Sequence, residues 1–585
     1  MLILDCEVYS NYFLLAIKQV GCRAIQHFEI YPGHPLDEGV SRTLNSGVSV
    51  GFNSANYDLP IISAALRGAS NEKLKALSDS IISEGTPWWK LGIKIPKTWD
   101  HIDIIQLAIG QSSLKIYGGR IHAPRLQDLP IAPDASITPA QRELLRNYCE
   151  NDLDLTERLY QHLYPQIELR KSMSKQYEND LRSKSDAQIA EIVIRHEIER
   201  LGEDVSKPLV KPGATFRYID PGFISFQASE LKNLFCEILE FDFALTSTGS
   251  IEVPDWLKKT QLTVGDSRYQ IGVGGLHSCE KRQFVEPSRH EFLLDMDVVS
   301  YYPSVILGQR LAPAHLGESF LTAFKSLVDR RIDAKRKGMK VEADALKITI
   351  NGAFGKFGSK YSFLYSPGLL LQTTMTGQLA LLMLIEQMYS LGIKTVSANT
   401  DGIVLFGPRA LMRASEEVAW AWMLSTGYEL ENTEYRQLAS RDVNNYFAIK
   451  TNGEIKGKGV FAAPSLGKNP NHQIVYTAVV NKILNGASVE KTIRECADVC
   501  QFVTVRRVTG GATWGNVKIG KVVRHYYSVN VPKTESIVYT KNGNKVPDSQ
   551  GSRPALVLPA TFPADVDYDV YEVAANNLLK DVGYA

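Results

Sequence analysis

Short apolar runs that end in carboxylates recur along this chain. Leu2-Ile3-Leu4 reads as a buried strand leading into Asp5-Cys6-Glu7, and side chains two apart on a strand share a face, so both carboxylates project to one side. Val48 to Phe52 is a second strand-like run. It opens into Asn53-Ser54-Ala55-Asn56-Tyr57-Asp58 before an apolar helix begins near Leu59, which sets Asp58 at a strand-to-helix corner. Leu144, Leu145, Leu155 and Leu159 follow helical spacing, placing Tyr148 and Asp152 one turn apart on one helix face. Farther on, Phe292-Leu293-Leu294 is an apolar strand running into Asp295-Met296-Asp297, and Pro303 suits the first turn of a following helix. Leu321 to Lys337 and Val341 to Ala353 read as a helical hairpin hinged at Gly338. Arg331 and Lys347 then lie level, about 12 Å up the hairpin, with Lys335 and Asn351 one turn from them. The polar stretch from Arg170 to Lys207 reads as one helix bridging two halves of the molecule.

With 585 residues and 44% hydrophobic content, the chain has material for about four domains with real cores. Its 65 Lys+Arg against 64 Asp+Glu leave a formal net charge of +1, so any nucleic-acid track must be a local stripe. The 7 cysteines form no paired framework, which points to a reducing compartment, and Cys496 and Cys500 lack nearby partners for a zinc site. The apolar run from Met1 ends at Asp5, and the stretch from Leu369 to Met388 is broken by Gln, Thr and Glu, so neither a signal peptide nor a membrane span is predicted. No internal repeat is visible.

Chemistry concentrates in three downstream segments: Asp297-Val298-Val299-Ser300-Tyr301-Tyr302-Pro303-Ser304, Lys347-Ile348-Thr349-Ile350-Asn351-Gly352-Ala353-Phe354-Gly355 and Asn399-Thr400-Asp401-Gly402. They supply two carboxylates on separate strand ends for divalent metals, and a Lys and an Asn one helical turn apart for a triphosphate. In order and spelling they resemble motifs A, B and C of family B DNA polymerases. The resemblance implies Asp297 and Asp401 as metal ligands with the Val298 backbone carbonyl, Tyr302 beneath the incoming sugar, and Arg331, Lys335, Lys347 and Asn351 on the nucleotide. Motif C departs from the family, with Asn399 in place of its first aspartate, and motif B carries Gly352 and Phe354 where Ser and Tyr are common. Those two are expected to tune packing of the nascent pair. Asp295 shares the strand face of Asp297 and is expected in a supporting role.

The amino-terminal carboxylates resemble the three exonuclease motifs of proofreading polymerases, in the version with a tyrosine in the last motif. That implies Asp5, Glu7, Asp58 and Asp152 as ligands of two metals, with Tyr148 orienting the attacking water; Asp103 is left outside the site. Val273-Gly274-Gly275-Leu276-His277 resembles a double-glycine element that contacts template. Asn444-Asn445-Tyr446 with Lys456-Gly457-Lys458-Gly459 resembles a Lys-x-Tyr region that grips the primer, although its leading Lys is Asn here. Gly274, Gly275, Tyr446, Lys456 and Lys458 are therefore expected on DNA. The basic and aromatic residues Arg506, Arg507, Lys518, Lys521, Arg524, Tyr526 and Tyr527 suit a thumb along duplex phosphates, or equally a solvated strand face.

The fold class expected is mixed α/β, an α+β multidomain chain: an RNase H-like exonuclease domain over 1–165, linker helices and the start of a palm over 166–290, palm over 291–318, fingers over 319–358, palm over 359–465 and thumb over 466–585. The function expected is primer extension by two-metal nucleotidyl transfer with 3′→5′ proofreading. Expected cofactors are two Mg2+ per active site, with Mn2+ as a substitute. Expected partners are primer-template DNA, deoxynucleoside triphosphates and single-stranded DNA at the nuclease site, with a helicase, clamp or single-strand-binding protein as accessories and no membrane. With an exonuclease motif beginning at residue 5, the compact size suggests a bacteriophage or mobile-element replicase in the host cytoplasm. Two alternatives are a protein-primed replicase and a nuclease with a decayed polymerase half. Against the first, 50 residues separate Asp297 from Lys347 and 50 separate Asn351 from Asp401, intervals without room for a domain-sized insertion. Against the second, all four nucleotide-binding residues are present.

Overall fold

The computed structural model describes residues 1–211, 213–272 and 274–584. The chain divides into two compact units, Met1–Lys184 with Pro464–Asn576, and Ser185–Ala463 with the segment from Asn577 onward.

The first unit rests on a 5-stranded sheet of order β3-β2-β1-β4-β5. β1 (Leu2–Tyr9), β2 (Tyr12–Gln19) and β3 (Ile25–Ile30) are antiparallel, while β4 (Ser49–Gly51) and β5 (His101–Asp103) add in parallel. Burial on both faces makes β1 nearly continuously apolar. Leu4, Cys6 and Val8 pack with Ile61 and Ile62 of α1 (Asp58–Leu66), whereas Ile3 and Tyr9 join a second core with residues of α3 (Pro139–Gln176), which follows the short α2 (Leu114–Arg120). Asp5 and Glu7 interrupt that second face.

The polar stretch expected as one helix is broken. α3 ends at Gln176, and α4 (Asp186–Arg200) starts afresh behind a capping box in which Ser185 and Gln188 satisfy each other's backbone. Buried Arg170 turns back to the intervening loop, its Nε donating to the Lys184 carbonyl at 3.0 Å.

The second unit is organised by a 10-stranded sheet. Along its path lie β6 (Gln261–Val264), β7 (Ser267–Gln270), β8 (Leu276–Ser278), β9 (Glu291–Val298), β10 (Lys394–Thr400), β11 (Gly402–Pro408), β12 (Leu430–Asp442), β13 (Asn445–Lys450) and β14 (Ile455–Lys458), in the spatial order β14-β13-β12-β9-β11-β10-β8-β7-β6. β9 is central, antiparallel to β11 on one side and β12 on the other. The helices are α5 (Tyr301–Gly308), α6 (Gly317–Arg336), α7 (Lys340–Phe357) and α8 (Pro367–Ser390). α6 and α7 form the expected hairpin, turning at Gly338 with a φ of +68° that glycine adopts without strain. α8 is long and apolar enough to cross a membrane, but 89% of its apolar window is buried, as befits the central helix of a core.

In the carboxyl-terminal part of the first unit, β15 (Thr504–Trp514) and β16 (Val517–Tyr527) anchor a 4-stranded sheet. Here the basic and aromatic residues expected on one surface divide. Arg507, Lys518 and Lys521 are exposed, but Tyr526 is buried, and Arg524, at 0% exposure, donates to the carbonyls of Ala123 and Ala555 at 2.7 Å each. Arg524 is a buried tie within this unit, because a guanidinium has donors enough to satisfy several loop carbonyls at once.

Candidate active sites

In the first unit, strand alternation puts Asp5 and Glu7 on the β1 face covered by α3, and helical spacing brings Tyr148 and Asp152 down onto them. Carboxylate oxygens of Asp5, Glu7 and Asp152 all lie within 4.8 Å of one another. Asp58, at the first position of α1, accepts the Cys6 amide at 3.0 Å, which sets it against the strand between Asp5 and Glu7. Asp103 builds this corner without joining the cluster, accepting the amides of Asn53 at 2.8 Å and Ala55 at 3.0 Å.

Burial dominates the electrostatics. It pushes Glu7 up to about 8, aided by Asp152, and Asp58 up to about 7. Asp5 is driven well above the usual carboxylate range by burial first and then by Asp58, Asp152 and Glu7. Among the described residues one ammonium answers them: Lys115, on α2, donates to Asp152 and lies 4.3 Å from the Tyr148 ring centroid. Four clustered carboxylates against that ammonium are a surplus of oxygen donors and negative charge, the donor chemistry hard divalent cations prefer. Lys115 was missed in the sequence, where nothing distinguishes it from a solvated Lys. Cys149 adds a thiol 3.4 Å from Asp5 Oδ2.

In the second unit, β9 delivers Asp297 and the β10–β11 turn delivers Asp401. The two segments are locked together by the Val298 amide, which donates to the Asp401 carbonyl at 2.7 Å, and by the register pairing of Asp297 with Gly402. Asp297 Oδ1 occupies the place a Cβ at Gly402 would take, so this glycine makes room for the carboxylate opposite. The residues flanking the pair are held in left-handed backbone, Ser300 at φ +48° and Thr400 at φ +61°, a conformation costly for side chains of this kind.

These carboxylates share a cavity of about 300 Å3 with Asp295, Asn399, Tyr446, Lys456 and Lys458; Val298 does not line it. Burial raises Asp295 and Asp401, and in each case Asp297 adds to the shift. Lys456, expected on DNA, lies against two carboxylates of this cavity. Its Nζ lies 2.8 Å from Asp295 Oδ2 and 3.0 Å from Asp297 Oδ2, and Tyr435 donates to the same Asp295 oxygen. Asn399 donates through Nδ2 to the Val443 carbonyl at 2.8 Å, tying β10 to the β12–β13 turn.

The remaining residues fall around this centre. Tyr302 stacks on Phe354, with ring centroids 4.1 Å apart and planes 11° from parallel. Arg331 Nη1 donates to Ser300 Oγ at 3.1 Å, tying the helical hairpin to the end of β9. Lys335, Lys347 and Asn351 are exposed and make no ion pair or side-chain hydrogen bond among the described residues. Gly352 lets α4 approach closely: a Cβ there would meet the Asp186 carbonyl at 2.6 Å and Ala190 Cβ at 2.9 Å on α4. Gly275 likewise presses against Thr400, 2.6 Å from where its Cβ would stand, while Gly274 faces open space; Val273 lies outside the described residues.

No protein-family model and no curated protein matches this chain. Among solved structures it is similar to the family B DNA polymerase from the hyperthermophilic archaeon Pyrobaculum calidifontis, with 14% sequence identity and a TM-score of 0.40 over 99% of this chain and 77% of that one.

Proposed function

We propose that this chain is a DNA-dependent DNA polymerase with a 3′→5′ exonuclease, using Mg2+ or Mn2+ at both sites. The observation that carries the reading is the second-unit cavity, where Asp297 and Asp401 converge from two locked strand ends beside a hairpin whose Arg331 docks on the same strand end. Divalent ions, if held by Asp297 and Asp401, would supply charge relief at the phosphates and at the attacking 3′ oxygen. Lys335, Lys347 and Asn351, exposed and with no side-chain partner among the described residues, offer donors to a triphosphate, and Tyr302, backed by Phe354, offers a flat ring beneath the sugar. Tyr446 and Lys458 face the cavity where a primer end would lie, and Gly274 leaves its backbone open to template. In the first unit, Asp5, Glu7, Asp58 and Asp152 are the donor set for phosphodiester hydrolysis, with Tyr148 positioned to orient water. On this reading the β1–β5 sheet is an RNase H-like nuclease, the 10-stranded sheet a palm and the α6–α7 hairpin the fingers.

Primer extension on a primed single-stranded template, with and without nucleotides, tests both halves. Asp297→Ala or Asp401→Ala is expected to abolish extension and leave degradation intact, whereas Asp5→Ala with Glu7→Ala stops degradation and spares synthesis. Extension surviving in the Asp401 variant removes the polymerase assignment of the cavity. Degradation surviving in the double variant removes the nuclease assignment of the first unit.

A further inference from the structure

We propose that Lys456 is a resident cation of the second-unit cavity, holding Asp297 until a divalent metal replaces it, and that Asp295 is the anchor that keeps the ammonium in place afterwards. The inference rests on the reading of Asp297 as a metal ligand.

The two carboxylates that share the ammonium are unequal. Asp295 is 4% exposed and also receives the Tyr435 hydroxyl, so its charge has fixed partners in a dry position. The Asp297 side chain is 47% exposed, and water or an ion reaches it freely. Lys456 is therefore bound firmly at one end and exchangeably at the other.

The arrangement is built by the sheet. β14 and β9 lie three strand positions apart in the order β14-β13-β12-β9, about 14 Å across a flat sheet and beyond the reach of a Lys. The edge must fold over the face to bring Lys456 to Asp295, and the β12–β13 ladder is interrupted twice, between Tyr435 and Gln437 and between Ser440 and Asp442. Such interruptions sharpen bend and twist.

A monovalent ammonium 3.0 Å from Asp297 competes with a divalent ion for the same oxygen. Removing the ammonium therefore tightens metal binding. Removing Asp295 weakens it, because among the described residues Asp297 is then the ion-pair partner left to Lys456. These opposite signs separate the proposal from a merely structural role, which lowers metal affinity in both variants.

The test is Mn2+ binding to the full chain without DNA, followed by the electron paramagnetic resonance of free Mn2+, in a background carrying Asp5→Asn, Glu7→Gln and Asp152→Asn to silence the other cluster. Lys456→Met is expected to tighten binding at least tenfold, Asp295→Asn to weaken it several-fold, and Lys456→Arg to stay within about twofold of the parent because it keeps the charge. Lys456→Gln serves if the Met variant does not fold. Unchanged or weaker binding in the Met or Gln variant, with Asp297→Asn abolishing it, overturns the role of Lys456 alone. Full binding in Asp297→Asn overturns the metal-site reading of the cavity, and this inference with it.

Discussion

Asn399 uses its amide to hold a loop, donating to the Val443 carbonyl, and an aspartate there has no hydrogen to give. Asn399→Asp sets a carboxylate oxygen against that carbonyl and adds a negative charge beside Asp401 and Asp297. A lost partner of this kind costs about 1–3 kcal/mol. The variant is expected to melt a few degrees lower and to gain no extension rate at low magnesium, measured by scanning calorimetry and a magnesium titration of primer extension. A tenfold leftward shift of the magnesium midpoint would show that position 399 is a ligand site after all. At this scale the carboxylates were the legible part of the sequence, because strand parity and helical spacing fix which side chains share a face. Lys115 and Lys456 were not. Each reaches its carboxylates from an element distant in sequence, and whether a Lys points into a site or into water depends on how that distant element packs.

Elements were legible where the period was strong and local. The α6–α7 hairpin formed around Gly338 as the spacing of its apolar residues and the glycine implied. The break before α4 carries its own signal in Ser185-Asp186-Ala187-Gln188, a capping-box spelling set within a long polar run. Gly352 shows what local reasoning misses. In an exposed helix interior, Gly→Ala stabilises by about 1 kcal/mol through backbone entropy. Here the added methyl must fit 2.6 Å from the Asp186 carbonyl, where α4 crosses α7. Overpacking of that kind costs about 1–3 kcal/mol, so Gly352→Ala is expected to lower the melting temperature where propensity alone would raise it. A rise would mean that the two helices separate readily and that the glycine serves nucleotide packing instead.

For the whole molecule a net charge of +1 conceals strong local imbalance, and the first unit shows it through pH. Glu7 titrates near 8 and Asp58 near 7 in the folded chain, above their ordinary values of 4.5 and 3.8. The folded state thus keeps protons that the unfolded chain has lost, and without metal its stability falls as pH rises from the ordinary carboxylate values towards 8. Buried His101 and His472 act oppositely: burial lowers both to about 4, so the unfolded chain takes up protons first and stability also falls as pH drops below the ordinary 6.5. Metal-free protein should therefore be most stable at mildly acidic pH, with the alkaline decline belonging to the carboxylates. Glu7→Gln removes one group that must be charged at pH 8 and leaves the histidines untouched. It is expected to raise the metal-free melting temperature by a few degrees at pH 8 and hardly at all at pH 5, where the wild-type carboxyl is already protonated. Saturating Mg2+ should reverse the order at pH 8, because the wild type then has an extra ligand for the ion and the variant has lost it. Calorimetry of both proteins at the two pH values, with and without Mg2+, decides the point. An unchanged melting temperature in the metal-free variant at pH 8 would mean that the Glu7 carboxylate is already neutralised in the fold, and the four-carboxylate cluster would lose its claim to be a metal site held short of its cation.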